Sequence, residues 1–588
     1  MMVIEFHYRF NKPQKWITCL VAAVVLVAVI ISVRMLWGRS EKYIGKCLTA
    51  EVSNGNECSQ AAVVTNGIEC SDIASEILRK GGSVADAAIS TLLCEGVTCP
   101  QSTGLGGGFV MTIFRKQANT VETLIARDVA PLAATADMFV NVSSVTGGKA
   151  IAVPGELKGY WELHQKYGKL DWSELFDPVI KLCRKGHIVS PYLAGILSTR
   201  KQVILDSPTL KEIYFNPVTN DVYQEGDFIK RNKLANTFEI IQKDGVDSMY
   251  NNGTVAQMIV QDIQDVGGIV TIEDLMKYNV RWEEPITAHL KNNKKLYTIP
   301  LPGSGPLVAF ILNVLNDYLP EKESTVALQR IAEAFKFAYA KRTELGDYRF
   351  VDATIEVVKN LTNIDYAMEI QKRILDDKTF SDYAHYGAKF SNKNDHGTAN
   401  INILAPNGDA IVATGTINTL FGCKIVSTKT GIILNDGMDD FSVPGIDNSY
   451  GIPPSPANFI HPQKMALSSM CPTILLDEND DVEVLIGAAG GAKITSSVAY
   501  VLLRYLYFKE SIENAVHAPR IHHQLVPMRL EYEVGFSKEL IDDLSRIGHE
   551  MYQSPTASGF ASLTAIGRNG TELTPVFDPR RRGSTAVF

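Results

Sequence analysis

The alternation of apolar and polar positions predicts a β-hairpin in the C-terminal third of the chain. Residues 399–404 alternate isoleucine with polar residues, and a second strand-like run covers residues 410–416. Between them lies Pro-Asn-Gly at 406–408. Because proline has no N–H for the ladder, a three-residue loop with a left-handed Gly408 fits this segment better than a two-residue turn.

The register of this hairpin follows from the loop. A three-residue loop pairs Ala405 with Asp409, and counting outward places Thr398 opposite Thr416 at the open end, with Gly397 just before. Two facing hydroxyl groups suggest chemistry. Threonine is also common in strands for packing reasons alone, so both interpretations stay open at this point.

Helical spacing predicts a helical hairpin near the start of the folded part. Apolar residues repeat with helical period in CSDIASEILRKGG, which ends at Gly81 and Gly82, and Ser83 then caps a second helix, VADAAISTLLCEG. Cys70 and Cys94 lie at the far ends of the two helices, where a disulfide is geometrically reasonable.

A long apolar run predicts a membrane span near the N-terminus. Residues 17–33 carry no charge, and Trp16 and Trp37 flank them at the positions of interfacial aromatics. A cleaved signal peptide is the alternative, but no small-x-small site follows the run. We therefore expect an uncleaved anchor, whose orientation the balanced flanking charges do not decide.

Helices and strands mix without regular alternation, which predicts an α+β fold. Residues 155–390 contain mainly helical stretches, whereas short strands and glycine-rich turns follow residue 398, with one further helix near 495–508. The glycine-rich loop from Gly104 precedes a strand and lacks a following Lys-Ser/Thr, so we reject a nucleotide site there.

Composition, charge and residue spacing argue against two classes of function, nucleic-acid binding and metal binding. The chain has 588 residues, 45% hydrophobic and 21% charged, and a net charge of -8. A globular protein of this kind, without a basic stripe, is not expected to bind nucleic acid. No paired C-x-x-C spacing occurs, and the adjacent His522 and His523 point in different directions, so no metal site is expected.

Other patterns suit an extracellular or lumenal domain. Four N-x-S/T sequons occur, at Asn141, Asn252, Asn360 and Asn569, where we expect glycosylation. Of the nine cysteines, Cys19 lies in the apolar run and an even number remains for an oxidising compartment.

Small-residue motifs that carry candidate chemistry cluster with the threonine pair. NDGMDDFS contains Asp439 and Asp440, and LSSMCPT contains a pair of serines. IGAAGG ends a strand in Gly490-Gly491, whose two backbone N–H groups are suited to an oxyanion, each donor being worth about 3 kcal/mol of barrier. A simple tight turn is the competing interpretation of the glycine pair.

Ordered motifs from about residue 60 to the C-terminus resemble the γ-glutamyltransferase family in its membrane-anchored eukaryotic form. They include GGSVADAAISTLLCEG, STGLGGGF, ARDVAP, AVPGELKGY, FAYAKRTELGD, GTANI, TGTIN, MDDFS, PPSPANFI and IGAAGG. The resemblance implies an N-terminal nucleophile hydrolase with an αββα sandwich. It also implies a chain that cuts itself between Gly397 and Thr398.

The resemblance further implies a role for individual residues. Thr398 would be the nucleophile and, through its freed α-amine with a pKa of about 8, its own base. Thr416 would orient it, and Gly490 and Gly491 would form the oxyanion hole. The resemblance also implies the donor ligands. The α-carboxylate would be bound by Arg127, Ser468 and Ser469, and the α-ammonium group by Asn418 and Asp440. The Cys70–Cys94 disulfide is implied in the same way.

This chain departs from the family pattern at one position of the donor site. Family members carry Glu or Gln immediately before MDDF, and this chain has Gly437. A lost charge-assisted hydrogen bond costs about 1.5 to 3 kcal/mol, so we expect weaker or relaxed donor binding unless Asp436 compensates. His396, beside the expected cut, is a second departure. For the C-terminal arginines Arg580 to Arg582, a solvated strand end is at least as plausible as a functional role.

The resemblance predicts a single-pass type II ectoenzyme of the plasma membrane. The expected parts are a cytoplasmic tail at 1–15, a signal anchor at 16–37, a stalk at 38–66, a heavy subunit at 67–397 and a light subunit at 398–588. It would cleave the γ-glutamyl amide of glutathione and its conjugates and pass the acyl group to water or to an amino acid or dipeptide. No metal or organic cofactor is implied.

Two rival functions remain on sequence grounds. The first is a weakened or silent family member that serves as a binding or scaffold ectodomain, with Gly437 as its signature. The second is a threonine amidohydrolase with a different acyl donor, for which Arg127 would meet no carboxylate.

Overall fold

A computed structural model describes residues 61–391, 397–445, 452–555 and 559–588. Its strands are β1 (Ala62–Thr65), β2 (Gly108–Arg115), β3 (Thr120–Ala126), β4 (His187–Ile188), β5 (Phe215–Asn216), β6 (Asp221–Val222), β7 (Phe228–Ile229), β8 (Arg281–Glu283), β9 (Ile286–Leu290), β10 (Lys294–Thr298), β11 (Ala399–Leu404), β12 (Ala410–Thr416), β13 (Thr473–Leu476), β14 (Val482–Ala489), β15 (Ile521–His522), β16 (Leu530–Tyr532), β17 (Met551–Gln553), β18 (Ser562–Asn569), β19 (Glu572–Phe577) and β20 (Ser584–Val587).

The α-helices of the described residues connect these strands and cover the sheets. They are α1 (Cys70–Arg79), α2 (Val84–Thr98), α3 (Glu156–Tyr167), α4 (Asp177–Lys185), α5 (Pro191–Thr199), α6 (Lys201–Asp206), α7 (Pro208–Tyr214), α8 (Asn232–Asp244), α9 (Asp247–Tyr250), α10 (Thr254–Asp265), α11 (Ile272–Lys277), α12 (Gly305–Leu315), α13 (Thr325–Arg342), α14 (Ala353–Thr362), α15 (Ile364–Gln371), α16 (Lys493–Tyr507), α17 (Ile512–His517) and α18 (Lys538–Ile547).

Two large sheets form the centre of the fold. The first has the strand order β20-β1-β11-β12-β2-β3-β8, and the second has the order β19-β18-β14-β13-β10-β9. In the first sheet β1 precedes residue 398 in the chain, whereas both of its neighbours, β11 and β20, follow that residue. Strands from both sides of the expected cut therefore alternate in one sheet.

The sheets pack face to face, and helices cover them. β11 and β12 pack on β14, while α2 packs on β11 and β12; α12 and α16 pack on strands of the second sheet. Period-two alternation in β11 explains this arrangement, because Ile401 and Ile403 belong to the core shared with helices and Leu404 belongs to the core between sheets. Asn400 and Asn402 also face the second sheet, where the Asn400 side-chain oxygen accepts a hydrogen bond from Thr564 Oγ1 and Asn402 Nδ2 donates one to it.

The predicted hairpin is confirmed in loop length and register. Ala405 N donates to Asp409 O at 2.9 Å, and Gly408 has a φ of 82°. The ladder pairs Ala399 with Gly415, one step inside the predicted Thr398–Thr416 pair.

The helical hairpin and its disulfide are also confirmed. Ser83 caps α2 and accepts a hydrogen bond from Asp86 N. Cys70 and Cys94 are joined, with their Cα atoms 5.6 Å apart. A bridge at this place ties the start of α1 to the last turn of α2, directly beneath the first sheet.

The N-terminal boundary of the folded part differs from the sequence expectation. Residues 61–66, which fall within the expected stalk at 38–66, are buried and include β1. The alternation signal was too short to predict a strand of four residues. The apolar run at 17–33, Trp16, Trp37, Cys47 and Cys58 lie outside the described residues. Within the described ranges, no helix is both long and apolar enough to cross a bilayer.

Candidate active site

The hairpin brings Thr398 to the glycine pair of the second sheet. Thr398 precedes β11, and its Oγ1 accepts a hydrogen bond of 3.0 Å from the N–H of Gly490, which follows β14. Gly490 has a φ of 145° and Gly491 a φ of 62°, conformations that favour glycine. The predicted glycine pair therefore points at least one backbone donor at the predicted nucleophile.

Thr416 contacts the peptide bond that precedes Thr398. Its Oγ1 donates a hydrogen bond of 2.7 Å to the carbonyl oxygen of Gly397 and accepts one of 2.8 Å from the N–H of Asn418. The glycine-rich loop supports this strand end, because a Cβ on Gly107 would lie 2.0 Å from the Thr416 carbonyl oxygen. The uncut chain thus presents a polarised carbonyl beside a hydroxyl.

Arg127 and Asp440, predicted to bind opposite ends of a donor, contact each other. Nη2 of Arg127 donates to Oδ2 of Asp440, and Nε donates to the carbonyl oxygen of Ala466 at 3.0 Å. Asp440 ends the 3-10 turn Gly437–Asp440, and both side chains are almost fully buried. Removing either partner of such a buried pair would leave the other charge uncompensated.

Asn418 directs an oxygen without a partner into the site. Its Nδ2 donates to the Asp436 carbonyl oxygen at 3.0 Å, while its Oδ1 is buried and has no hydrogen-bond partner. Asn418 also has a φ of 71°, in the left-handed region that asparagine tolerates. A fixed acceptor of this kind fits the role predicted for it, contact with an ammonium group.

The two serines lie together in the buried segment before β13. Ser468 Oγ accepts from the N–H of Met470 at 3.3 Å, and Ser469 Oγ accepts from Nη2 of Arg342 at 3.0 Å. Arg342, at the end of α13, was not predicted as a site residue. Its position within the FAYAKRTELGD motif was the available signal.

The carboxylate of Asp436, which the sequence offered as a possible replacement for the missing side chain at position 437, is engaged by other residues. Its carboxylate accepts hydrogen bonds from the N–H of Thr419 at 2.9 Å and from Thr419 Oγ1 at 2.5 Å. Lys424 Nζ lies 3.8 Å away. Burial raises the pKa of Asp436 to about 7, although Lys424 and Thr419 oppose this shift. These contacts direct the carboxylate to Thr419 and Lys424.

The C-terminal arginines are not a solvated strand end. Arg581 is buried, and its Nη1 donates to the carbonyl oxygen of Thr398 while Nη2 donates to Ser102 Oγ at 3.3 Å. Arg580 pairs with Glu533 and Asp578, and only Arg582 is exposed. Sequence analysis missed Arg581 because its partner lies far away along the chain.

Other predicted positions have simpler outcomes. Asn141, Asn252, Asn360 and Asn569 are exposed, as glycosylation requires. His396 lies outside the described residues. His522 and His523 are buried in the core, where burial lowers the pKa of His522 to about 4.

Comparison with known proteins identifies relatives over most of the chain. Residues 70–588 match the family model described as gamma-glutamyltranspeptidase. Scoloptoxin SSD14 of Scolopendra dehaani is 44% identical over 536 residues, covering 89% of this chain and 92% of that protein. Glutathione hydrolase 2 of Arabidopsis thaliana is 36% identical over 543 residues, covering 89% and 93%.

A solved structure shares the fold. Cephalosporin acylase from Bacillus halodurans superposes with a TM-score of 0.78 at 21% identity, covering 92% of this chain and 98% of that chain. At this level of identity the likeness concerns the backbone architecture only.

Proposed function

The chain belongs to the γ-glutamyltranspeptidase family, and from that premise we propose how its own residues mature the enzyme and bind its substrate. The protein hydrolyses and transfers γ-glutamyl groups as an N-terminal nucleophile hydrolase. The finer assignments concern the cut at Thr398, the donor ligands and the membrane anchor. Each is argued below from contacts of the described residues.

Self-cleavage begins with Thr398 in the uncut chain. Its hydroxyl oxygen attacks the Gly397 carbonyl carbon, the C–N bond breaks as the nitrogen takes the proton, and an ester links the two residues. Water then hydrolyses this ester. The hydrogen bond of 2.7 Å from Thr416 Oγ1 to the Gly397 oxygen supports this role, because a donor already placed on a carbonyl stabilises the developing oxyanion. The products are a heavy fragment of residues 1–397 and a light fragment of residues 398–588.

The cut supplies the base for catalysis. The new α-amine of Thr398, with a pKa of about 8, accepts the proton of the same residue's hydroxyl. That hydroxyl attacks the γ-carbonyl of the donor and forms an ester. The N–H groups of Gly490 and Gly491 stabilise the tetrahedral oxyanion, and the donor's amine leaves with the proton. Water, an amino acid or a dipeptide then takes the acyl group.

Donor recognition exchanges one ion pair for two. Arg127 turns its planar guanidinium to the donor α-carboxylate, with Ser468 and Ser469 as hydroxyl donors. Asp440 is thereby released to the α-ammonium group, which also meets the unpartnered Oδ1 of Asn418. Glutathione and its conjugates carry both of these groups at the γ-glutamyl end.

The observation that carries this proposal is the contact of Thr398 Oγ1 with Gly490 N at 3.0 Å, beside the Thr416-bound carbonyl. The test is N-terminal sequencing of the light fragment together with hydrolysis of a γ-glutamyl anilide. We expect the sequence TANINIL and turnover from the wild type, and a single inactive chain from Thr398→Ala. Turnover by the uncut variant would overturn the proposal.

The silent-scaffold alternative has less support, because Thr398, Thr416 and the Gly490-Gly491 pair are all present and Thr398 Oγ1 accepts a hydrogen bond from Gly490 N. A threonine amidohydrolase with another acyl donor is tested by comparing a γ-glutamyl anilide with its decarboxylated analogue. Equal rates would show that Arg127 binds no carboxylate.

We propose a plasma-membrane location from the sequence and from the exposure of the glycosylation sequons. The charge-free run at 17–33 supports a signal anchor with a cytoplasmic N-terminus. The exposure of all four sequon asparagines supports an extracellular catalytic domain. Membrane fractionation and a shift in gel mobility after removal of N-glycans test both. A protein that is soluble and unshifted would contradict this location.

A further inference from the structure

The space next to Gly437 is filled by a second carboxylate. An ideal Cβ built on Gly437 would lie 1.7 Å from Oδ2 of Asp128 and 2.7 Å from its Cγ. No side chain fits at position 437 while Asp128 holds this position. Asp128 can therefore take this position because residue 437 has no side chain.

Asp128 is a buried carboxylate beside the arginine of the donor site. The residue is only 4% exposed, and the donor to its carboxylate is its own backbone N–H. Burial raises the pKa of Asp128, and the neighbouring charge of Arg127 opposes that shift. Burying a carboxylate is costly unless it meets hydrogen-bond donors or an opposite charge, and an ammonium group supplies both.

Two other acceptors of the site surround the same backbone segment. The Asn418 side chain is bound to the carbonyl oxygen of Asp436, the residue before Gly437, and leaves its Oδ1 unpartnered. Asp440 stands at the other end of the turn that Gly437 begins. Asp128, Asn418 and Asp440 therefore bring acceptor oxygens to the peptide segment 436–440.

We propose that Asp128 is the ligand of the donor α-ammonium group that replaces the missing side chain at position 437. The proposal rests on the γ-glutamyl-donor function proposed above. The other candidate carboxylate, Asp436, is occupied by Thr419 and Lys424. Three acceptors then surround one primary ammonium group, which has three N–H donors.

The first test uses a pair of donors that differ in one group. Asp128→Asn keeps the volume of the side chain and removes its charge. We expect kcat/KM for a γ-glutamyl anilide to fall about 10- to 100-fold, and kcat/KM for the deaminated glutaryl anilide to change less than about threefold. Equal losses for both donors would overturn the proposal.

The second readout is stability. A buried carboxylate that accepts only from its own backbone N–H should destabilise the empty enzyme, so Asp128→Asn should leave the thermal unfolding midpoint unchanged or raise it. If Asp128 instead stabilised the fold, the midpoint would fall in the variant. That result would also overturn the assignment.

The third test exchanges the two positions. Gly437→Glu alone should lose activity, since its Cβ overlaps Asp128 Oδ2. Adding Asp128→Gly should restore at least about tenfold in kcat/KM for the γ-glutamyl anilide, since a carboxylate again faces the ammonium group. A soluble, self-cleaved double variant without such recovery would contradict the proposal.

These experiments separate the contact from the function on which it rests. A wild type that fails to hydrolyse the γ-glutamyl anilide would overturn the proposed function. An active wild type whose preference for the amino-bearing donor survives Asp128→Asn would overturn only the contact.

Discussion

Thr416 Oγ1 donates a hydrogen bond of 2.7 Å to the carbonyl oxygen of Gly397, across the open end of the β11–β12 hairpin. The threonine therefore contacts the bond of the proposed cut before any substrate is present. Its second contact, from the N–H of Asn418, fixes the rotamer that makes this possible.

Replacement of Thr416 tests this relationship. Thr416→Val keeps the shape but removes the donor, and we expect self-cleavage to slow by about 100- to 1000-fold, as for loss of one oxyanion donor. Thr416→Ser retains the hydroxyl and should stay within about fivefold of wild type. Band intensities on denaturing gels over time measure both rates. Equal rates for the valine and serine variants would remove the role of this hydroxyl.

Arg127→Lys should weaken donor binding far more than its charge suggests. Lysine has no planar fork for a carboxylate and cannot hold Ala466 O and the donor together. We expect kcat/KM for a γ-glutamyl anilide to fall at least about 100-fold. Arg330→Lys, which alters an exposed pair with Asp376, is the matched control and should remain near wild type. Comparable losses in both variants would point to a general effect on the fold.

Arg581→Gln should impair both maturation and turnover. Without the guanidinium, the carbonyl oxygen of Thr398 loses a charge-assisted donor, worth about 1.5 to 3 kcal/mol. We expect slower self-cleavage and a kcat about tenfold lower. The exposed neighbour Arg582 offers the control Arg582→Gln, which should change neither quantity. Normal cleavage in Arg581→Gln would show that the contact is incidental.

The Cys70–Cys94 disulfide should stabilise the fold without entering catalysis. It closes a loop with a sequence separation of 24 residues. The chain-entropy model assigns about 3 kcal/mol to such a loop. We expect the double variant Cys70→Ser/Cys94→Ser to unfold at a lower temperature and to be insensitive to reductant, whereas reductant should lower the midpoint of the wild type. A wild-type midpoint that does not respond to reductant would contradict this role.

His549 should make the protein sensitive to mild acid. Burial and nearby Lys336 lower the pKa of His549 to about 3, and its Nε2 lies 2.5 Å from Gln329 Oε1. Below pH 6.5 His549 is protonated in the unfolded chain, whereas in the folded chain it stays neutral until the pH approaches 3. Stability from this group is thus complete above pH 6.5 and is lost as pH falls toward 3, by about 1.4 kcal/mol at pH 5.5.

Thermal unfolding at several pH values measures this effect. His549→Gln should show a smaller loss of stability between pH 7 and 5 than wild type. The exposed His517 provides the control His517→Gln, which should follow the wild-type curve. Parallel curves for all three proteins would exclude the contribution of His549.

The hairpin and the helical hairpin were predictable because local rules decide them, whereas the pairing of Thr398 with the glycine pair came from the family resemblance. Residue alternation and the proline in the loop set the register of β11 and β12, and the glycine pair ended its strand as expected. The roles of donor ligands came from resemblance, and the structure places Arg127 and Asp440 together.

Contacts between distant segments were not predictable. Arg581 donates a hydrogen bond to the carbonyl oxygen of Thr398, and no local sequence pattern near either residue predicts this contact. Asp436 was offered as a possible replacement because it is adjacent to Gly437, but its hydrogen bond from Thr419 depends on how a neighbouring turn folds. β1 was assigned to the stalk because four buried residues carry no usable period.

The position of β1 has a consequence for the matured protein. β1 belongs to the proposed heavy fragment, whereas its neighbours β11 and β20 belong to the proposed light fragment. Neither fragment therefore contains the complete first sheet. Separating the fragments would break three ladders of the first sheet, β1 with β11, β1 with β20 and β2 with β12, and would leave their backbone groups without partners. Proteolysis here creates new chain ends without creating an independent subunit: the fragments should co-purify, melt in a single transition and fail to reassemble when expressed apart.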